Sequence, residues 1–166
     1  MKIIKFFRPE GQYGFLSNWY DSTFIINDIS FANIEQYMMY MKALTFQDHE
    51  KQQSILLTND PKIIKALGRE VKNYDDTIWN GIRQLIVYQA LKQKFNQNDD
   101  IRVKLLNTEN AILAEASPFD RIWGIGLSVN DPKSNIIEEW KGQNLLGFTL
   151  MQVRDEIRRN NSEEKI

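Results

Sequence analysis

The chain contains no cysteine and one histidine, His49. That excludes disulfides, thiolate nucleophiles and the common zinc ligand sets, so any catalysis falls to carboxylates, lysine, hydroxyls and backbone groups. Neither a metal nor a cofactor is expected. Long apolar runs are also missing, and Met1 to Phe7 is followed too soon by Arg8 and Pro9 to serve as a signal peptide. The expected setting is therefore the cytoplasm, away from membranes. An excess of either charge is absent too, with 21 Lys+Arg against 22 Asp+Glu for a net charge of −1. Without a strong positive field, tight nonspecific binding to nucleic acid is not expected, and a small substrate is favoured.

What is present is enough to bury a core: 166 residues, 42% of them hydrophobic, fit one domain. We place it at residues 1–159 and expect 160–166 to fray. Most of the tryptophans stand beside Gly, Asn or Asp rather than in apolar runs, a placement that suits a pocket wall as well as a core.

Turn and cap signals divide the chain. Ile3 to Phe7 reads as a strand, and Thr23 to Phe31 as a hairpin turning at Asn27-Asp28. Asn33 with Gln36 three residues on has capping-box spacing, which starts a helix over Ile34–Phe46. Further helices are predicted at Glu50–Leu57, at Pro61–Gly68 with proline in the first turn, and at Asp76–Phe95. In the last of these, Ile78, Ile82, Leu85, Ile86, Gln89, Leu91 and Phe95 form a mostly apolar stripe. Asp100–Leu106 and Leu145–Arg158 are predicted helices, and Ala111–Ala116 a buried strand before a glycine-containing loop that reaches Gly142. The expected class is α+β, predominantly helical, with a small β component near the N-terminus.

Three segments carry candidate chemistry. Glu35 and Lys42 are seven residues apart, so on an ideal helix they lie roughly 20° apart around the axis and about 10 Å along it. They share a face and either bracket a ligand or stand as a solvated surface pair. In Ser117 to Gly126, Asp120 precedes Trp123, Gly124 and Gly126. That loop either presents a carboxylate, an indole and open backbone to a ligand, or is an Asp-initiated turn packed by its tryptophan. Trp140 to Gly147, which includes Asn144, leads into the last helix, where backbone amides either meet a phosphate or are simply capped. Arg69, and Arg83 four residues after Trp79, are further candidates for holding phosphate.

In order and spacing these segments resemble the NADAR family, the group of YbiA-like proteins and riboflavin-pathway N-glycosidases. The resemblance runs through Tyr13 to Asn18, Glu35-Gln-Tyr with Lys42, Leu67-Gly-Arg69, Trp79, Lys94-Phe95, Leu106-Asn-Thr108, Glu115 and Asp120 to Gly124. It continues through Gly142-Gln-Asn144 and Leu146-Gly147 to Leu150 to Arg154. Two departures stand out. Gln36 occupies the position where many relatives have histidine, and the stretch Leu127 to Trp140 is longer than in compact YbiA-like members; we expect it near the pocket mouth.

The resemblance implies a single YbiA-like domain that hydrolyses the bond between a phosphorylated ribose and a nitrogen base. It places Glu35, Lys42 and Asp120 among the catalytic residues. Asn18, Arg69, Trp79, Arg83, Trp123, Gly124, Gly126 and Asn144 would contact substrate. Two substrate classes are implied: ribosylamino-pyrimidine phosphates of riboflavin synthesis, and ADP-ribose attached to guanine in nucleic acid. A module that binds ADP-ribose or NAD without turning it over is the alternative. In the glycosidase, Lys42 either contacts phosphate or ribose, or attacks an opened ribose at C1′ as a Schiff-base nucleophile.

Overall fold

The structure is a computed structural model and describes residues 1–163. Among the described residues it is predominantly helical, 54% with the short 3-10 turns included, with six α-helices and short strands, as expected. Two compact units form, one from residues 18–98 and the other from both ends of the chain, residues 1–17 and 99 onward.

In the unit of residues 18–98, strands β2 (Phe24–Ile26) and β3 (Ile29–Phe31) pair as the expected antiparallel hairpin, where β1 is the strand Ile3–Phe6 of the other unit. Asn27 and Asp28 both have positive φ, 50° and 63°, the backbone of a tight hairpin turn that Asn and Asp tolerate best after glycine. Phe24 and Phe31 face each other across the pair, ring centroids 5.8 Å apart. Tyr37 meets Phe31 edge-on at 5.0 Å, which docks the hairpin on helix α1, Ile34–Thr45. The outer edge of β2 is covered rather than left open: the Gln97 amide donates to the Ile25 carbonyl at 2.9 Å and accepts from its N–H at 2.8 Å.

Each following helix starts at a side-chain cap. Asp48 caps α2 (His49–Leu56), Asp60 precedes Pro61 at the start of α3 (Pro61–Arg69), and Asp75 caps α4 (Asp76–Gln97). The stripe of α4 differs from expectation. Ile78 and Leu85 are 51% and 58% exposed, whereas Trp79, Ile86, Val87, Ala90, Leu91, Lys94 and Phe95 are buried. The buried face is rotated because it includes a lysine, which a count of apolar residues assigns to solvent. Lys94 is fully enclosed, its ammonium 5.5 Å from the Tyr20 ring and 5.4 Å from that of Phe95. Burial draws its pKa down to about 7.

In the other unit, β1 pairs in parallel with β4 (Ile112–Glu115), Ile3 opposite Ile112 and Phe6 opposite Glu115. Helix α5 is Asp99–Leu106, and α6 (Leu145–Glu163) packs on β4. The last helix outruns the expected Arg158, reaching Glu163; residues 164–166, the rest of the stretch expected to fray, lie outside the described residues. Arg154 of α6 is buried and donates to Thr108 Oγ1 and the Ala111 carbonyl, both at 2.9 Å. The long segment 127–140 is tied to β1 by one side chain: Lys5 Nζ donates to the Val129 carbonyl, Ser134 Oγ and Asn135 Oδ1 at 2.9–3.0 Å.

Candidate active site

The residues marked out by sequence divide between the units, and each half has its own geometry. Asn18, Glu35, Lys42, Arg69, Trp79 and Arg83 belong to residues 18–98. Helix α1 carries the centre of this half. Its cap is made by Asn33, whose Oδ1 accepts from the Gln36 N–H at 2.9 Å. Gln36 is fixed in turn: its Oε1 accepts from the Ala32 N–H at 2.7 Å, and its Nε2 donates to the carbonyls of Ile55 and Thr58. Gln36 is therefore a buried brace between α1 and the end of α2.

With the helix start locked, Glu35 occupies its first turn at 5% exposure. Burial penalises its charge, while the positive end of the helix favours it. Its backbone N–H donates to the Asn18 carbonyl at 3.1 Å, which sets the Tyr13 to Asn18 segment's last residue against the helix entrance.

Two turns further on, Lys42 is half-buried, and its ammonium donates to the Gly68 carbonyl at 2.8 Å while lying 4.4 Å from the Tyr74 ring centroid. The carbonyl is available because α3 presses directly on α1. A Cβ on Gly68 would fall 1.9 Å from Met39 Sδ, so a larger residue there would require the Met39 side chain to move. Burial lowers the Lys42 pKa from its usual 10.5; Glu35 and Asp76 pull it back up, and Arg69 lowers it further. The result is an amine set against an aromatic ring and a backbone carbonyl that gives up its proton more readily than a surface lysine. Trp79 is buried in the first turns of α4, Arg83 follows one turn later, and Arg69 is exposed at the end of α3.

Gly68, Tyr74 and Asp76 complete the surroundings of Lys42 and were not singled out by sequence. Tyr74 directly precedes the α4 cap Asp75, and its hydroxyl donates to Asp76 at 2.8 Å. A tyrosine ahead of a helix cap is an ordinary pattern, so only the fold reveals that its ring meets Lys42.

Asp120, Trp123, Gly124, Gly126 and Asn144 lie in the other unit. Asp120 Oδ1 accepts from the Ile122 and Trp123 amides, both at 2.8 Å, forming the Asp-initiated turn weighed from sequence. Trp123 is half-buried on that turn. Asn144 is fully buried at φ +52°; its Oδ1 accepts from the Glu115 N–H at 3.1 Å and its Nδ2 donates to the Leu113 carbonyl at 2.9 Å. It thereby occupies the free edge of β4 as a third strand would. The loop pairs with the segment before α6 through Gln143 N–H to Arg121, Asn144 N–H to Gly124 and Lys141 N–H to Ile125. Gly124 is confined by this weave, since a Cβ there would lie 2.9 Å from the carbonyls of both Asp120 and Glu115, and Gly126 has φ +70°.

The NADAR domain model matches residues 5–158, spanning both units. This chain belongs to the NADAR domain family. Among its relatives is N-glycosidase R617 of Acanthamoeba polyphaga mimivirus, 41% identical over 145 residues, covering 84% of this chain and 85% of that protein. Riboflavin biosynthesis protein VVA0006 of Vibrio vulnificus is 29% identical over 154 residues, 93% of this chain and 38% of that longer protein. The NMR structure of the Escherichia coli protein YbiA superposes with a TM-score of 0.81 at 26% identity, covering 98% of this chain and 88% of YbiA. The NADAR chain described here thus shares the YbiA fold, and among its described residues no helix is long and apolar enough to cross a membrane.

Proposed function

We propose that this NADAR protein is an N-glycosidase that separates a phosphorylated ribose from a nitrogen base, with Lys42 as nucleophile and Glu35 as proton carrier. The observation that supports it is Lys42 itself, half-buried with a lowered pKa, on the same helix as a buried carboxylate. Membership in a family whose relatives are named N-glycosidases points the same way.

The chemistry follows from what each group can do. When the glycosidic nitrogen carries a hydrogen, its lone pair opens the ribose ring, leaving a C1′=N imine and a protonated ring oxygen. The neutral Lys42 amine adds to C1′. Glu35 carries the two Nζ protons in turn to the base nitrogen, the C1′–N bond breaks with the base leaving as its free amine, and a C1′=Nζ Schiff base remains. Water then adds to C1′, returning the free amine and an aldehyde that closes to ribose. One water is consumed and one base released. The substrates of this reading are thus ribosylamines, a description that covers both ribosylamino-pyrimidine phosphates and ADP-ribose joined to an exocyclic amine of guanine. Trp79 would flank the base, and Asp120, with one oxygen engaged by two amides, would shape the Trp123 loop rather than move protons.

The test is to incubate the purified protein with each substrate class and follow the free base chromatographically. Release from at least one class is expected, abolished in Lys42→Ala. Binding of ADP-ribose with no base released from either class would instead identify a sensor.

A further inference from the structure

Among the buried side-chain atoms with no hydrogen-bond partner among the described residues are Asn18 Oδ1 and Arg83 Nε. A buried polar atom left unpaired is costly, and a cationic one more so. Arg154 Nε, in the same position, has the Asp155 carboxylate 3.6 Å away. Among the described residues, Arg83 Nε has no acceptor and Asn18 Oδ1 no donor, although Asn18 is only 6% exposed. Gln36 and Asn144, by contrast, have both ends of their amides engaged.

Both residues border the Glu35 and Lys42 helix. The Asn18 carbonyl accepts from the Glu35 N–H, which puts this residue at the Glu35 end. Arg83 is on α4, which packs against α1, and its charge acts on the Tyr74 phenol, whose ring lies against the Lys42 ammonium, so this residue belongs to the Lys42 end. The two differ in kind. A carbonyl oxygen requires a hydroxyl or N–H donor, whereas a guanidinium N–H calls for an anionic oxygen.

We infer that Asn18 and Arg83 select a ribosyl phosphate by its two ends: Asn18 Oδ1 accepts from a hydroxyl of the ribose 2′,3′-diol, and Arg83 Nε–H donates to a phosphate oxygen. This rests on the glycosidase reading and adds to it a preference for ribose over 2-deoxyribose and for the phosphate over the free sugar. The ligand is either a simple ribose phosphate or ADP-ribose, which share this chemistry.

Calorimetric titration of the wild-type protein with ribose 5-phosphate, 2-deoxyribose 5-phosphate, ribose and ADP-ribose tests it without turnover. Ribose 5-phosphate or ADP-ribose should bind about tenfold or more tighter than the deoxy sugar phosphate and the free sugar; whichever binds tighter identifies the source. Asn18→Leu should erase the hydroxyl preference and keep the phosphate preference, while Asn18→Asp, which retains an acceptor and guards against a mere folding defect, should keep the hydroxyl preference. Arg83→Gln should do the reverse of Asn18→Leu. Equal affinity of the wild type for ribose and deoxyribose phosphates, no binding of either, or variants that leave both preferences intact would overturn the inference. If both preferences appear but no base is ever released, the glycosidase reading falls and the ribosyl phosphate site stands.

Discussion

Helix α1 and the Asp120 loop both carry a carboxylate in a family motif, yet the fold uses them in opposite ways. On α1, Glu35 is buried in the first turn and Lys42 is desolvated two turns later, a charged pair kept at an energetic cost. In the loop, Asp120 Oδ1 is taken by two amides, Asn144 is consumed by β4, and Gly124 is hemmed in by carbonyls. The loop spends its polar groups on backbone hydrogen bonds and holds shape, whereas helix α1 keeps two ionisable side chains in partly or fully buried positions, where chemistry can use their charge and protons.

Substitutions sharpen that contrast, beginning with Lys42. Lys42→Ala should lower kcat by about a thousandfold or more while ligand affinity changes only a few-fold, and Lys42→Arg should not restore turnover, because a guanidinium stays protonated. If arginine restores most of the rate, Lys42 is an electrostatic contact and no nucleophile. Glu35→Gln removes the proton carrier and should cost kcat on the order of a hundredfold, read by steady-state kinetics. The pH profile follows from the lysine: its free amine is the reactive form, so the rate should rise with pH along a limb centred below 10.5, and that limb should disappear in Lys42→Ala.

The Asp120 loop should respond more weakly and through stability. Asp120→Ala unpairs two amides and should cost about 1–3 kcal/mol in denaturant unfolding, whereas Asp120→Asn keeps the accepting oxygen and should retain most activity. A dead but well-folded Asp120→Asn would erase the distinction drawn between the two regions.

Lys94 lies outside that contrast and acts on stability alone. Its folded pKa is lowered to about 7 against 10.5 unfolded, so the unfolded chain binds the extra proton between these values. Stability should therefore climb as pH rises from about 7 towards 10.5, with no contribution to the slope below that window. Lys94→Met should flatten the climb in unfolding curves taken across it. An unchanged slope would place the titrating group elsewhere.

What was legible from sequence is what short-range chemistry encodes. The hairpin at Asn27-Asp28 follows from residues that accept positive φ, and the starts of α1 and α3 from Asn33 and Pro61. That Glu35 and Lys42 share one helix follows from the Asn33 cap and their spacing. The parallel pairing of β1 with β4 was not legible, because its partners Ile3 and Ile112 meet only through the fold. Nor was the true inner face of α4, which contains Lys94, or the seating of Lys42 by Gly68 and Tyr74 from two other segments. Packing between distant segments decides these, and no local pattern reports it.

The most direct measurement is a borohydride trap during turnover. With substrate present, reduction should fix the ribosyl fragment to the wild-type protein as a stable adduct, seen by intact mass, mapped to the peptide containing Lys42 and absent from Lys42→Ala. Base release with no adduct, or an adduct mapping to another lysine such as Lys94, would contradict the account.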